Sequence, residues 1–173
     1  MKIGIDCRMW NETGIGRYIR NIVSELSIID DSNQYVLFVL SKDLKEINFN
    51  SDRFKLVVTD IHWHTFREQL ILPLYFYREK LDLLFIPNLN VPVLYLKKFV
   101  VTIHDLTVTK IKTGRASTHF YLFYLIKRLG VKIALWYAIK ISKKIFTVSE
   151  FVKKDIIADY NVKPDKIVLT PCA

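Results

Sequence analysis

Short apolar runs alternate along this chain with stretches in which apolar side chains return every three or four positions, and the alternation begins almost at the first residue. Ile3, Gly4 and Ile5 form a run closed by Asp6, the pattern of a strand buried on both faces. Ile15, Tyr18, Ile19, Ile22, Val23 and Leu26 then share one face of a predicted amphipathic helix, with Thr13 as its expected N-cap. Tyr35–Leu40 and Phe54–Val58 read as further strands, separated by a short helical piece that Ser41 is expected to cap. The next helix carries Phe66, Leu70 and Leu74, and Pro73 inside it predicts a kink or a break. Leu83–Ile86, Phe99–Ile103 and Ile145–Val148 supply three more strands. Ser149 is placed as the cap of a helix containing Phe151, Val152 and Ile156, and Lys166–Leu169 begins one last strand.

Strands that are apolar on both faces and alternate with helices predict an α/β chain: a Rossmann-like, mostly parallel sheet of about seven strands with helices on both faces. Ligands of such sheets bind beyond the carboxyl ends of the strands. That edge collects Pro87, Asn88, His104, Asp105 and the loop around Gly14. Between His119 and Ile145 the chain turns strongly apolar, with unbroken runs at 120–126 and 133–139 interrupted by Lys127, Arg128 and Lys132. A membrane-crossing helix needs roughly 18 consecutive apolar residues, so this segment does not read as one. Two readings stay open: helices packed under the sheet, or a basic surface resting on a bilayer with Tyr121, Tyr124, Trp136 and Tyr137 at the interface.

Charge sharpens the second reading. Residues 1–90 hold 11 Lys or Arg against 12 Asp or Glu, whereas residues 91–173 hold 15 against 5. The second half therefore favours an acidic partner: anionic lipid, a pyrophosphate-bearing ligand or nucleic acid. Nucleic acid rests on charge alone, without a motif to present it, and is set aside. The 173 residues suit one domain. Two cysteines, Cys7 and Cys172, make no disulfide framework, and no leader pattern precedes the strand at Lys2. The expectation is a cytoplasmic, reduced protein, peripheral on the inner face of the membrane if it docks there.

The candidate chemistry begins at Gly14, Ile15 and Gly16. Unpaired backbone N–H groups at a helix start, with the positive dipole end behind them, suit a phosphate, and the lack of Cβ atoms permits close approach. The alternative is that the glycines only let the helix start close to the sheet. Two familiar phosphate motifs fail here: the third glycine of the dinucleotide fingerprint is missing, and no Gly-Lys-Ser/Thr occurs. Asp60, His62 and His64 alternate, as metal ligands on an extended segment would, but no fourth ligand is evident. Cys7 follows a buried strand with only Arg8 as a basic neighbour, and no Ser/His/Asp nucleophile arrangement is convincing.

Five motifs stand in one order: Thr-Gly-Ile-Gly-Arg-Tyr-Ile at 13–19, Arg-Glu-Gln then Leu-Pro at 67–73, Phe-Ile-Pro-Asn at 85–88, Thr-Ile-His-Asp-Leu at 102–106 and Thr-Val-Ser-Glu-Phe at 147–151. Together they resemble the N-terminal, acceptor-side domain of GT-B glycosyltransferases of family 4, including its mannosyltransferase-like members. The resemblance covers essentially the whole chain. It implies that residues 1–173 are one half of a GT-B fold, that a C-terminal nucleotide-sugar-binding domain with paired glutamates is absent from this sequence, and that the chain alone is inactive. It further implies a retaining enzyme moving a hexose, mannose among the candidates, from a nucleotide diphosphate sugar to a lipid-linked or polysaccharide acceptor. No cofactor or metal is implied, and no Asp-x-Asp triplet occurs.

By the same resemblance, Gly14, Ile15 and Gly16 would hold the donor's diphosphate. His104 and Asp105 would be catalytic, with His104 facing the donor sugar or its phosphate. Arg17, Arg67, Glu68 and Asn88 would shape the acceptor side, and Ser149 and Glu150 would contact ligand. The reading from another class is a non-catalytic Rossmann-like module that docks on a membrane or a partner chain through its basic second half.

Overall fold

A computed structural model describes residues 1–47, 51–106 and 121–171, with the side chains of the last segment described from residue 128 onward. Of the basic residues counted in the second half, Lys110, Lys112, Arg115 and Lys127 lie outside the described residues and side chains, as do Tyr121, Tyr124 and Cys172.

Seven parallel strands form one sheet in the order β3-β2-β1-β4-β5-β6-β7. They are β1 (Lys2–Asp6), β2 (Gln34–Val39), β3 (Phe54–Val58), β4 (Leu83–Ile86), β5 (Phe99–Ile103), β6 (Ile145–Thr147) and β7 (Ile167–Leu169). The helices between them are α1 (Thr13–Ile29), α2 (Phe66–Leu70), α3 (Leu72–Arg78), α4 (Tyr121–Ile141) and α5 (Glu150–Tyr160). β1 is third in the order, pairing Ile5 with Leu37 of β2 on one side and with Phe85 of β4 on the other.

Strand order runs outward from β1 in both directions, so crossovers running in the two opposite directions, all right-handed by the usual rule, must cover opposite faces. The packing agrees. On one face Ile19 and Val23 of α1 bury against Ile5, Leu37 and Val39. On the other, Leu72 and Phe76 of α3, Leu135 and Ile139 of α4 and Val152 and Ile156 of α5 bury against Phe38, Ile86, Val101 and Ile103. The reversal between β1 and β4 opens a crevice at the carboxyl ends of these two strands.

Several local expectations meet their physical test here. Pro73 divides the helix, and α3 starts at Leu72 with the proline in its first turn, where a missing N–H costs nothing. Ser149 caps α5, its Oγ accepting from the Val152 N–H at 3.2 Å. Thr13 is not a cap: Glu12 takes that position without a side-chain bond, and Thr13 is the first helical residue. Ser41 likewise begins a 3-10 turn, Ser41–Glu46, instead of capping it. Residues 121–126 of the first apolar run and all of the second, 133–139, lie in one continuous helix, α4, because the lysines and Gly130 between them are compatible with helix and contain no break.

Phe66, Leu70 and Leu74 are 64%, 61% and 62% exposed, so the stripe that sequence spacing picks out faces solvent. The break at Ile71 re-phases the helix, and Leu72, Pro73 and Phe76 take the buried positions. Trp136 is half-exposed on α4, whereas Tyr137 donates to the Tyr95 carbonyl at 2.6 Å and stacks on Phe99. Among the described residues no helix is long and apolar enough to cross a membrane.

Candidate active site

The crevice is floored by an ion network built from the residues that leave β1. Asp6 ends the strand; Cys7 continues the ladder, donating its N–H to the Phe38 carbonyl at 2.8 Å. Arg8 then folds back. Its Nε and Nη2 donate to the two oxygens of Asp6 at 2.8 Å each, Nη2 also donates to Glu68 Oε1 at 2.7 Å, and Nη1 donates to the Ile61 carbonyl at 2.8 Å. All three charged residues are no more than 2% exposed. A buried charge needs this degree of satisfaction, and the fork geometry of guanidinium suits it. Burial works against the charge on Arg8, and the Asp6 and Glu68 carboxylates more than offset it, so its pKa is raised. Glu68 goes the other way for a carboxylate: burial raises its pKa despite the adjacent Arg8. Its second oxygen accepts from the His64 N–H at 2.7 Å. Burial, then the Asp6 charge, push the Cys7 thiol well above its ordinary value, which leaves Cys7 without nucleophile chemistry.

Above that floor stands the start of α1. Helix geometry leaves the N–H groups of Thr13, Gly14 and Ile15 without intrahelical acceptors, and no side chain caps them. Gly16 differs from its two neighbours, because its N–H donates to the Glu12 carbonyl at 2.9 Å. What position 16 requires is space: a Cβ there would press into the Trp10 carbonyl and stand 2.8 Å from the Met9 oxygen. Gly14 is exposed, and a Cβ there would meet nothing within 4 Å. The pair therefore divides the work, Gly16 seating the helix on the loop after β1 and Gly14 leaving the helix start open to a ligand.

His104 leaves the end of β5 and reaches β4's exit, its Nε2 lying 3.0 Å from the Pro87 carbonyl. A carbonyl only accepts, so Nε2 carries the proton of that bond and a neutral ring keeps its lone pair at Nδ1. The Tyr18 ring meets His104 edge-on at 4.9 Å between centroids, and the Tyr18 hydroxyl lies 3.1 Å from Thr102 Oγ1. Tyr18 lies about one turn after Gly14, so this contact ties the open helix start to the histidine. Asn88 is buried beside Pro87, its Oδ1 accepting from the Asn90 N–H at 2.7 Å to shape the turn after β4.

The remaining candidates fall in different settings. Asp105 and Arg17 are exposed at the crevice edge, and Arg67 is exposed on α2. Glu68, its neighbour, is committed to Arg8 and His64. Ser149 stands past the end of β6 with its hydroxyl used as the α5 cap, and the exposed Glu150 lies 3.8 Å from Lys153. Asp60 and His64 adopt left-handed backbone, φ 37° and 59°, which breaks the extended geometry that would align them with His62. Asp60 instead accepts from the Ser41 N–H at 2.7 Å. Arg8 and Tyr18 are the residues that sequence reasoning passed over. Arg8's signal was an Asp-x-Arg pair inside the otherwise uncharged Ile-Asp-Cys-Arg-Met-Trp; Tyr18 was absorbed into the apolar face of its helix.

No curated protein matches the chain. The solved apo form of a lipopolysaccharide outer core galactosyltransferase, WaaB, superposes with a TM-score of 0.58 at 14% identity, covering 100% of this chain and 46% of that one. The chain thus spans about half the length of that structure and has the architecture of one half of a GT-B fold. A family model described as Glycosyltransferase Family 4 matches residues 13–173, a span that holds the open helix start, Tyr18, Glu68, Asn88 and His104. The chain belongs to glycosyltransferase family 4.

Proposed function

We propose that the chain is the N-terminal, acceptor-side half of a retaining glycosyltransferase that moves a hexose from a nucleotide diphosphate sugar to a lipid-linked or saccharide acceptor. The observation that carries this reading is the Tyr18–His104 contact, because it sets open helix N–H groups and a fixed imidazole around one crevice at the sheet's switch point. In the reaction, the bond from sugar C1 to the departing diphosphate oxygen breaks while the acceptor's hydroxyl oxygen bonds C1 on the same face. The hydroxyl proton passes to the departing phosphate oxygen. Charge grows on that phosphate, and preorganised N–H groups of Thr13, Gly14 and Ile15 are of the kind that stabilise it. His104 Nδ1 accepts a hydrogen bond from the donor sugar, with Asp105 and Asn88 on the same rim.

The solved neighbour is named as a galactosyltransferase of lipopolysaccharide outer core, which favours a hexose donor and a saccharide acceptor; galactose and mannose are the sugars to test. A lipid tail on the acceptor finds its match in the exposed Phe66, Leu70 and Leu74, which share α2 and α3 with Arg67, next to the Glu68 tether. That stripe, and not the lysines of the second half, would bring a membrane to the crevice edge. A second Rossmann-like domain would supply the base and ribose contacts that the described residues do not assemble. Calorimetry with uridine and guanosine diphosphate sugars tests this: residues 1–173 alone are expected to bind weakly and transfer nothing. Sub-micromolar binding or turnover by this chain would overturn the two-domain reading.

A further inference from the structure

Five lysines of the basic second half are gathered at the edge of the sheet opposite the crevice. α4 and α5 end there, and β6 and β7 begin there. Between these four ends lies an open cleft of about 470 Å³ lined by Lys140, Lys143, Lys144, Lys163 and Lys166, with Asp165 the only lining carboxylate among the described residues.

Cations at helix C-termini have an ordinary explanation, since the carbonyls and the dipole attract them. Two of the five lysines answer to it, Lys140 donating to the Tyr160 carbonyl at 2.5 Å and Lys166 to the Lys140 carbonyl at 2.8 Å, while Lys144 donates to the Asp165 carbonyl of a 3-10 turn at 2.6 Å. The magnitude does not close. Each helix end carries roughly half a negative charge, so two ends and Asp165 offset about two of the five positive charges. Each ammonium has three donors, and each of these three lysines spends one on a carbonyl. Lys143 and Lys163 are exposed and make no such bond among the described residues. Lys166, half-buried, has its pKa lowered by burial and then by Lys140 and Lys143, so the repulsion is felt within the cluster. A further observation points to a ligand: Ser142 lines the same cleft, is 3% exposed, and its Oγ has no hydrogen-bond partner among the described residues.

We propose that this cleft binds a phosphate-bearing anion, held by the Lys143, Lys163 and Lys166 ammonium groups with the Ser142 hydroxyl donating to one oxygen. The site is distinct from the crevice, because the three residues of β6 put about 10 Å of sheet between the two edges. It does not rest on the glycosyl-transfer reading. The same chemistry comes from free inorganic phosphates or from a phospholipid headgroup, and the experiment separates them.

Backbone amide shifts of the chain are followed during titration with pyrophosphate, then with phosphatidylcholine vesicles with and without phosphatidylglycerol. Pyrophosphate is expected to shift the amides of residues 142–144 and 163–166 saturably. A Lys143→Ala, Lys163→Ala double variant, which removes no helix cap, should bind at least tenfold more weakly, while a Lys153→Ala, Lys154→Ala variant should match wild type. Phosphatidylglycerol vesicles that bind and are displaced by pyrophosphate identify a headgroup site; saturable pyrophosphate binding without vesicle binding identifies a free anion. Non-saturable shifts, shifts confined to the start of α1, or equal weakening in both variants would each overturn the site, and vesicles that bind without displacement by pyrophosphate would overturn the headgroup as its ligand. None of these outcomes depends on whether sugar is transferred.

Discussion

The Arg8 guanidinium meets the Glu68 carboxylate at 2.7 Å, across 60 residues of chain, and so locks the loop after β1 to the first turn of α2 beneath the crevice. Asp6 completes the network from below at 2.8 Å. Breaking a buried charge pair by removing one partner costs about 3–5 kcal/mol, because the other charge stays buried. Asp6→Ala is expected to cost that amount. Glu68→Ala leaves Arg8 its bidentate partner and should cost about 2–3 kcal/mol, chiefly through the stranded His64 N–H and Nη2 donors. Urea unfolding reads both; losses below about 1 kcal/mol would mean that water replaces the network.

The same glutamate predicts a pH signature. Burial, partly offset by Arg8, raises the Glu68 pKa above its ordinary value of 4.5. A raised folded pKa means that the folded state holds the proton more tightly, so the contribution is fully present below 4.5 and is lost as pH rises through the folded value. Glu68→Gln removes that titration. Wild-type stability minus variant stability should therefore fall as pH rises from 4.5 and level off once the folded value is passed. A difference that rises with pH over that window would show Arg8 winning over burial.

The two glycines at the start of α1 should respond oppositely to a methyl group. At position 16 a Cβ runs into the Trp10 and Met9 carbonyls, which belong to backbone and cannot swing aside. Gly16→Ala should destabilise by about 1–3 kcal/mol, in the range of overpacking, and Gly16→Val by more. Gly14 has helical backbone and open space around it, so Gly14→Ala should stabilise by about 0.4–1 kcal/mol. Yet it narrows the approach to the free N–H groups. Thermal unfolding and donor affinity of the full-length enzyme should therefore move in opposite directions for Gly14→Ala.

Sequence made the alternation of strand and helix legible, because burial on both faces of a parallel sheet leaves unbroken apolar runs such as Tyr35–Leu40, and α1 shows its period directly. Pro73 and Ser149 were legible for local reasons, a missing donor and a cap. The Arg8 network was not, since its partners are fixed only once β1 and α2 are brought together by the fold. The Phe66, Leu70 and Leu74 stripe was legible only in part, for a related reason: spacing identifies a shared face and not which way that face turns. Charge counting found the basic second half but not its edge; parallel strands place Lys143, Lys144 and Lys166 at strand starts, away from the crevice.

His104 provides the test of the crevice itself. Its Nε2–H is held by the Pro87 carbonyl and its ring by the edge contact with Tyr18, so orientation and tautomer are both set before a ligand arrives. His104→Ala in the full-length enzyme should lower kcat/KM by about 10²-fold or more, the scale of a positioned acid, base or charge-stabilising group. Asp105→Ala, at an exposed neighbour, should cost less. Tyr18→Phe keeps the ring contact and loses only the bond to Thr102, worth about 0.5–1.5 kcal/mol of stability, so activity should stay within a few-fold. Tyr18→Ala removes the ring that orients the imidazole and should approach His104→Ala in kcat/KM while leaving His104 chemically intact. If Tyr18→Ala is as active as Tyr18→Phe, the Pro87 bond alone orients His104 and the tie between helix start and histidine has no part in catalysis.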